Sequence, residues 1–506
     1  MSGTTQALGV VIGRVIARGT LRLESAAHFG GDEGDETDMT LVRGADGALV
    51  IPGASIAGAC RGYLAHCLLG ARAFGYLSPR DESPPSQQRA EERRLWAQEA
   101  QVGLIDLFGG IDDNGNQSAL LVADAYASHE TTGIRDGVAI TGATGQAADT
   151  AKYDAEVIEP GGEFLLCFEL VIRQIHADEG KVDLLKRLLN LVLEAFERGE
   201  LRLGARTRRG LGRGRVDVWQ VQDLRFGDPQ DVLRWLRREQ PQGDSPRRTT
   251  VGDQQASRGV LSYLDLRVTV TLDGPLLVRS YTEDPYQPDA VQLRAGGMPV
   301  IPGTSIAGVL RHRAERILHT IVDGHNDEAV QGFIEHLFGH VHQRGNDDVR
   351  ASQRASRLRI EEEMVQDARA EIQARVRIDR VTGGVLTGAL FDEEPVWGER
   401  GQPMTWRLTC RLWEPEEAEI GLLLHLLKDV WLGDVTVGGG AAVGRGVLHG
   451  KEATLAWVTS GEERGEWTIR GAGETTPEAL RLVGSDPHIL DRCAESLLRR
   501  MGSAEG

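Results

Sequence analysis

The chain has 506 residues, of which 41% are hydrophobic and 26% charged, a composition ordinary for a folded, water-soluble protein. Because one hydrophobic core rarely serves so long a chain, at least two domains are expected. The net charge of −18 excludes a protein coated in basic surface, although it permits nucleic-acid binding through a local basic cluster.

The N-terminal sequence, the lengths of the apolar runs and the cysteine pattern indicate the cellular compartment. No apolar run reaches the length of a membrane span and the N-terminus has no signal pattern, so we expect no membrane association and a cytoplasmic location. The five cysteines form no CxxC pair and no pattern with histidine, which predicts a reducing environment and no zinc site.

The first half begins with a predicted strand at 10–24 and a polar, acidic loop at 28–38. The turn Ile51-Pro52-Gly53-Ala54-Ser55-Ile56-Ala57-Gly58 then opens an amphipathic helix, with Ser55 as its predicted N-cap. A mobile insertion is predicted at 78–100. The later elements are strands at 119–122 and 164–171, an extended segment at 135–154, a helix at 184–196 and a strand around Val216 and Val218.

A glycine-rich loop, 204–214, follows the second helix and carries Arg206, Arg208, Arg209 and Arg213. Glycine lets backbone N–H groups approach phosphates closely and arginine adds charge, so this loop favours RNA contact. The second half has a similar loop, 438–446, in which only Arg445 is charged, and there a glycine turn packing helix to strand is the alternative. Neither loop has the Gly-Lys-Ser/Thr ending of a P-loop.

The second half repeats these features in the same order. The turn recurs as Ile301-Pro302-Gly303-Thr304-Ser305-Ile306-Ala307-Gly308, at an offset of 302 − 52 = 250 residues, with Ser305 at the N-cap position. Further matches, in chain order, are Phe108 with Phe338, Ile140–Asp154 with Ile378–Asp392 at offset 238, and Gly212 with Gly444 at offset 232. Four ordered correspondences indicate a tandem duplication.

The order strand, helix, strands, helix, strand in each copy predicts an α+β fold of two tandem ferredoxin-like (RRM-like) domains with loop insertions. We place the first domain at 1–225, a linker at 226–258, the second domain at 259–455 and an acidic, partly helical C-terminal appendage at 456–506. Such a sheet is a common platform for single-stranded RNA.

Together these motifs resemble the RAMP superfamily of CRISPR-associated proteins. The resemblance covers roughly 8–222 and 260–450 and rests on an early glycine-rich, acidic loop, whose His-x-Gly-Gly lead-in the second copy lacks, and on three further features. These are an aspartate before Ile-Pro-Gly-x-Ser-Ile, an extended Ile-x-x-x-Thr-Gly segment and a loop containing Gly-Arg-Gly, and each occurs in both halves. Within the superfamily the chain looks like the backbone subunit of type III effector complexes, fused as two copies. The partners this implies are guide RNA (crRNA), single-stranded target RNA and other type III subunits.

The resemblance also implies roles for individual residues. Asp38 and Asp289 match the family's RNA-cleaving aspartate, and a carboxylate there could bind Mg²⁺ or orient a 2′-hydroxyl. The extended segments match the family's thumb hairpins, with Val138, Ile140, Val376 and Ile378 as wedges between nucleotides and Arg135, Arg375 and Arg377 on phosphates. The other implied RNA contacts are Ser55, Arg61, Arg206, Arg208, Arg209, Arg213, Ser305, Arg311, Gly440 and Arg445.

Several readings stay open on the sequence. The acidic loops could be plain surface loops, which would leave a catalytically inactive RNA-binding scaffold of the same complex. A metal-independent guide-processing endoribonuclease would require His28 as general base, whereas a structural histidine is the alternative at that position. A carboxylate-pair hydrolase of a small substrate would bind no RNA and would not need the arginines of 206–213.

Overall fold

The computed structural model describes residues 9–31, 37–69, 103–110, 117–141, 146–239, 262–280, 286–322, 326–340, 355–399, 402–459, 462–471 and 480–502. The predicted insertion at 78–100 and most of the predicted linker lie outside these ranges.

The helices within the described residues are α1 Gly53–Leu69, α2 Gln174–Asp178, α3 Val182–Glu197, α4 Pro229–Leu236, α5 Gly303–Ile321, α6 Asp327–Phe338, α7 Glu417–Leu432 and α8 His488–Gly502. The strands of the first half are β1 Val11–Leu23, β2 Val50–Ile51, β3 Leu120–Val122, β4 Ala125–His129, β5 Thr132–Ile140, β6 Ala147–Ile158, β7 Glu163–Arg173, β8 Gly214–Val216 and β9 Gln220–Arg225. Those of the second half are β10 Tyr263–Asp273, β11 Arg279–Ser280, β12 Ala290–Gln292, β13 Arg294–Ala295, β14 Met298–Ile301, β15 Leu358–Ile360, β16 Glu363–Met364, β17 Ala368–Ala370, β18 Gln373–Ile378, β19 Val385–Glu394, β20 Val396–Gly398, β21 Met404–Trp413, β22 Val447–Thr459, β23 Glu462–Gly471 and β24 Leu480–Gly484.

Each copy is built on an antiparallel sheet whose first strand lies at the centre. In the first copy β1 pairs with β7 on one side and with β8 and β9 on the other, while β3 and β4 extend the sheet beyond β7. In the second copy the order is β15-β21-β10-β22. Both are the strand order of a ferredoxin-like fold, so the predicted fold class is confirmed.

Alternation of apolar residues decides which face of each sheet is buried. In β10, Leu264, Leu266, Val268, Val270 and Leu272 are buried, while the residues between them are partly or fully exposed. In β1 the same alternation of buried and exposed residues is present in the C-terminal part of the strand. Two separate hydrophobic cores result, one in each copy, and each includes the buried faces of the two long helices of that copy.

The chain divides into two compact units that do not follow the chain order strictly. The first contains 1–133, 156–205 and 212–261, and the second contains 134–155, 206–211 and 262–506. Most of the β5–β6 hairpin and the centre of the first glycine-rich loop therefore belong to the second unit, although in sequence they belong to the first copy.

Residues after 456 continue the second unit. β22 runs through that position, β23 and β24 add to its sheet, and α8 packs on α7. The helices approach closely at Gly421, because a Cβ there would lie 2.3 Å from the carbonyl oxygen of Cys493.

Backbone hydrogen bonds correct one of the predicted correspondences. The N–H of Gly212 donates to Ala26 O (2.8 Å), and that of Gly446 donates to Pro275 O (2.9 Å). Gly212 is thus equivalent to Gly446, at an offset of 446 − 212 = 234, and not to Gly444. The match at offset 232, which aligned the Gly-Arg-Gly sequences of the two loops, was wrong. Glycines recur two residues apart in both loops, so an alignment shifted by two residues still places glycine on glycine.

The predicted N-caps are also wrong. Helix α5 begins at Gly303 with Pro302 as its N-cap, which places Ser305 within the first turn. Helix α1 likewise begins at Gly53, so Ser55 is its third residue. The Gly53 N–H donates instead to Asp124 Oδ1 (2.7 Å), a partner remote in sequence.

The second glycine-rich loop should tolerate alanine unequally. Gly446 has φ +65° and a Cβ there would lie 1.9 Å from Val437 O, whereas Gly444 has φ +80° with nothing within 4 Å of its Cβ position. We expect Gly446→Ala to lower the free energy of unfolding by about 3 kcal/mol and Gly444→Ala by about 1 kcal/mol. Urea unfolding of the two variants checks this, and equal losses would contradict it.

Candidate functional site

Asp38 lies on the returning side of a loop in the first unit. The loop is closed by hydrogen bonds from the Gly31 N–H to Thr40 O (2.8 Å) and from the Val42 N–H to Phe29 O (3.0 Å). Asp38 itself is exposed. A pinned backbone and an exposed carboxylate suit a residue that must meet a ligand from solution.

Glu156, near the end of β6, holds the segment that directly follows Asp38. Its N–H donates to Met39 O (2.9 Å), and its Oε2 accepts from the Leu41 N–H (3.1 Å). Its Oε1 accepts from the Arg43 guanidinium. Sequence reasoning missed Glu156, because it lies 118 residues after Asp38 in a strand without a distinctive motif.

His28 is buried beside the same residue. Its Nδ1 lies 2.7 Å from Glu156 O, and since a carbonyl can only accept, Nδ1 carries the proton. Its Nε2 is buried with no hydrogen-bond partner among the described residues. A general base must reach the proton that it removes, so this placement favours a structural histidine over the catalytic one that guide processing would require.

Asp289 occupies the equivalent place in the second unit. It is exposed, and its Oδ2 accepts from the Asp392 N–H (3.0 Å). The following residue, Ala290, pairs with Glu393 in the parallel β12–β19 ladder. Glu394 then pairs with Arg294, at 3.4 Å between Oε1 and Nη2, as Glu156 pairs with Arg43.

A buried ionic cluster underlies the second glycine-rich loop. Glu393 is 2% exposed and accepts from Arg445 (2.7 Å) and Arg279 (2.8 Å), with Arg375 at 3.4 Å. Arg445 is only 1% exposed, and a Cβ at Gly440 would lie 2.8 Å from its Cδ. Arg445 therefore supports the loop from inside, while Arg279, which the sequence did not single out, is half exposed.

The arginines of the first loop are engaged with aromatic rings and carbonyls. In the second unit, Arg206 lies 4.3 Å above the Tyr153 ring and donates to its hydroxyl (2.6 Å), and Arg208 lies 6.0 Å from the Trp413 ring. In the first unit, Arg213 pairs with Glu24 at 3.2 Å.

A family model described as the RAMP superfamily matches residues 20–215 and 269–449, which include most of both copies. The chain belongs to the RAMP superfamily. The coarse part of the prediction is thereby confirmed: this is a CRISPR-associated protein with RNA as its expected ligand. No curated protein matches the chain. Over the described ranges, no helix is long and apolar enough to cross a membrane.

Two arginines of this RAMP protein meet in the second unit, and the described residues place one carboxylate, that of Glu315, beside them. Arg209, from the glycine-rich loop, donates to Phe338 O (2.9 Å), and its Nη1 is buried with no partner among the described residues. Burial and the nearby charge of Arg311 lower the pKa of Arg209 to about 10. Arg311 has one carboxylate, Glu315, at 3.3 Å. An anion would relieve this excess of positive charge.

The first thumb hairpin is anchored by a buried ion pair within the second unit. Arg135 donates to both carboxylate oxygens of Glu362, at 2.8 and 3.1 Å, and both side chains are almost fully buried. The structure thus places Arg135 inside the protein and not at a surface open to phosphate. A bidentate pair is a geometrically specific contact, so it fixes Arg135 against Glu362 within the second unit.

The apolar residues predicted as wedges lie at the surface of the hairpins. Val138, Ile140, Val376 and Ile378 are 46%, 43%, 43% and 60% exposed, and Arg377 beside them is exposed. The tip of the second hairpin is a tight turn in which Asp379 Oδ1 accepts from the Val381 N–H (2.7 Å). Hydrogen bonds from Val381 and Thr382 lower the pKa of the Asp379 carboxyl.

The remaining predicted contacts lie on the two helices that follow the repeated turn. Ser55 and Arg61 are exposed on α1, and Ser305 is partly exposed in the first turn of α5. The N–H groups of Ser55 and Ser305 donate to the carbonyls of Pro52 and Pro302 (2.9 and 3.0 Å), and the Gly53 N–H is taken by Asp124, so the hydroxyl groups of the two serines are the groups these helix starts offer to a phosphate.

The donor set limits the kind of metal site that is possible. In the part of the chain that the structure describes, no three His, Cys, Asp or Glu side chains group as a metal site. Asp38 and Asp289 each offer one exposed carboxylate. This fits a Mg²⁺ ion that takes its other ligands from RNA phosphates and water, as Mg²⁺ often does, and not a cage built by the protein.

The Arg135–Glu362 pair gives a stability test. Glu362→Ala removes the carboxylate that accepts two hydrogen bonds from the buried Arg135 guanidinium, so we expect a loss of about 3–5 kcal/mol in the free energy of unfolding. The double variant Arg135→Met/Glu362→Leu removes both charges and should lose much less. Denaturant unfolding measures both, and a double variant as unstable as Glu362→Ala would show that the pair is not the cause.

Proposed function

We propose that the chain is the backbone subunit of a type III CRISPR effector complex, carrying two copies of the RNA-binding and RNA-cleaving unit in one polypeptide. It binds guide RNA with other subunits of the complex and cleaves the complementary target RNA at Asp38 and Asp289. The observation that carries this proposal is the repetition, in both copies, of an exposed aspartate followed five residues later by an arginine that pairs with a glutamate of the strand returning from the hairpin.

Guide binding draws its support from the Arg209–Arg311 pair and the exposed hairpin residues. A buried guanidinium beside a second one is unfavourable until an anion neutralises them, and an RNA phosphate is the anion that a RAMP protein meets. The α5 start lies against the same loop, since a Cβ at Gly303 would approach Arg209 O to 2.3 Å. Exposed valine and isoleucine side chains can insert between nucleotides.

Cleavage requires little from the protein beyond placement. The carboxylate of Asp38 or Asp289 orients the 2′-hydroxyl of the target nucleotide and accepts its proton as that oxygen attacks the adjacent phosphorus. The new 2′-O–P bond forms while the P–O5′ bond breaks, and the 5′ oxygen takes a proton from water. A Mg²⁺ ion, held by the same aspartate and by the phosphate, would neutralise charge developing on the phosphate oxygens.

A catalytically inactive scaffold of the same complex is the second candidate. It is favoured by the finding that each aspartate, among the described residues, lacks further carboxylate or histidine neighbours in a metal-binding group. Such a protein would bind guide and target through the same surfaces, and the aspartates would then have no effect on the target.

Target cleavage by the reconstituted guide complex separates these two candidates. With Mg²⁺ present, we expect Asp38→Ala and Asp289→Ala each to remove one product band, because each carboxylate serves its own copy, and the double variant to cleave nothing. Gel mapping of end-labelled target identifies the bands. Target affinity should be unchanged in all three variants. Unchanged bands in the double variant would establish the scaffold.

Guide binding should depend on Arg209 through charge. Arg209→Ala removes one phosphate contact, so the slope of log affinity against log salt should fall by about 0.7, the single-strand value per contact. Fluorescence anisotropy with labelled guide RNA over a salt series measures this. Arg198→Ala, at an arginine 52% exposed on α3, is the control that should keep the slope. A slope unchanged by Arg209→Ala would contradict the assignment.

A further inference from the structure

We propose that the ion pairs Arg43–Glu156 and Arg294–Glu394 are positioning pairs that fix the loop bearing each aspartate. This inference rests on the proposed cleavage at Asp38 and Asp289, and it identifies residues that support those carboxylates without touching RNA.

The first support is equivalence. In both copies the arginine follows the aspartate by five residues, 43 − 38 = 294 − 289. The two glutamates differ by 394 − 156 = 238, the offset that relates the hairpins of the two copies. Each pair therefore joins the segment after the aspartate to the strand that returns from the hairpin.

The second support is that other polar contacts around these loops have diverged. Glu393, whose carboxylate holds three arginines, has Ala155 at the equivalent place in the first copy. Leu277 stands where the first copy has the buried His28, as shown by the matching bonds Ala205 N–H to His28 O and Gly439 N–H to Leu277 O. The arginine–glutamate pair is common to both copies despite these changes.

The third support is that these ion pairs contribute little to the stability of the fold. The side chains of Arg43 and Glu156 are 44% and 18% exposed, and those of Arg294 and Glu394 are 39% and 24% exposed. Ion pairs this open to water contribute little to folding, because solvent screens them and holding two long side chains costs entropy. A local effect on geometry is the better account.

The geometric effect is direct in the first copy. Glu156 bonds to Met39 by its backbone and to Leu41 by its side chain, and these residues follow Asp38 by one and three positions. Arg43, which precedes the next turn, donates to the same carboxylate. A shift of the carboxylate therefore moves the backbone on which Asp38 stands, and displacements of about 1 Å can slow a reaction about 100-fold.

The test uses the two cuts of one target as internal controls, in the reconstituted complex with the full chain. We expect Arg43→Ala to slow the cut assigned to Asp38 about 10- to 100-fold in single turnover and to leave the Asp289 cut unchanged. Arg294→Ala should do the reverse. Arg43→Lys, which keeps the charge, should retain most of the rate. Arg198→Ala, which breaks an exposed pair with Glu194 on α3 (3.1 Å), is the matched control.

Two readouts separate positioning from folding and from a failure of the proposed function. Thermal midpoint and target affinity should be equal in all variants. Hydrogen exchange over residues 37–43 should be faster in Arg43→Ala than in the Arg198→Ala control. If Asp38→Ala leaves both products, the proposed cleavage fails, and the exchange result still decides the inference. Wild-type cleavage together with unchanged exchange in Arg43→Ala would overturn it.

Discussion

The two copies depend on how each glycine-rich loop is closed against the segment that leaves the first strand. In the first copy Ala205 and Gly212 donate to His28 O and Ala26 O, and in the second Gly439 and Gly446 donate to Leu277 O and Pro275 O. These bonds are possible because the loop backbone adopts positive φ and comes within contact of its partner strand, which leaves no room for a side chain. These hydrogen bonds fix two loops at once, because the acidic loop begins at the residues whose carbonyls accept them.

With the backbone fixed in this way, the polar side chains around it were able to diverge. The second copy places Arg279, Arg375 and Arg445 around one buried carboxylate, so its loop is supported by charge from inside. In the first copy Leu211 stands where the second has Arg445, and the loop's own arginines lie on Tyr153, Trp413 and a carbonyl. Two loops that look alike in sequence therefore present different charge, which argues that the copies bind RNA with unequal strength at this point.

Patterns of short range predicted most of the fold. Alternation marked β10, helical spacing marked α1 and α3, and the repeated Ile-Pro-Gly turn located both helix starts, because each of these signals lies within one element. The partners Glu156, Glu362 and Glu393 were missed. Their partners Arg43, Arg135 and Arg445 lie 113, 227 and 52 positions away in the sequence, and a lone glutamate in a strand has no periodic signature. The sequence located the arginines of the loops and hairpins, but it did not show which of them are buried and which face solvent.

The difference between neutralised, buried arginines and the remaining ones explains how a protein with a net negative charge can bind RNA. Burying Arg135 or Arg445 requires a carboxylate, and Glu362 and Glu393 supply it, so these arginines add nothing to the surface potential. Arg209 is different, because it is largely desolvated beside Arg311 and its main polar partner is a carbonyl. A charge in a low-dielectric setting attracts a phosphate more strongly than the same charge screened by water and salt. The net charge of −18 opposes unspecific contact with nucleic acid, and we propose that the desolvated Arg209 is a point at which affinity for phosphate is retained.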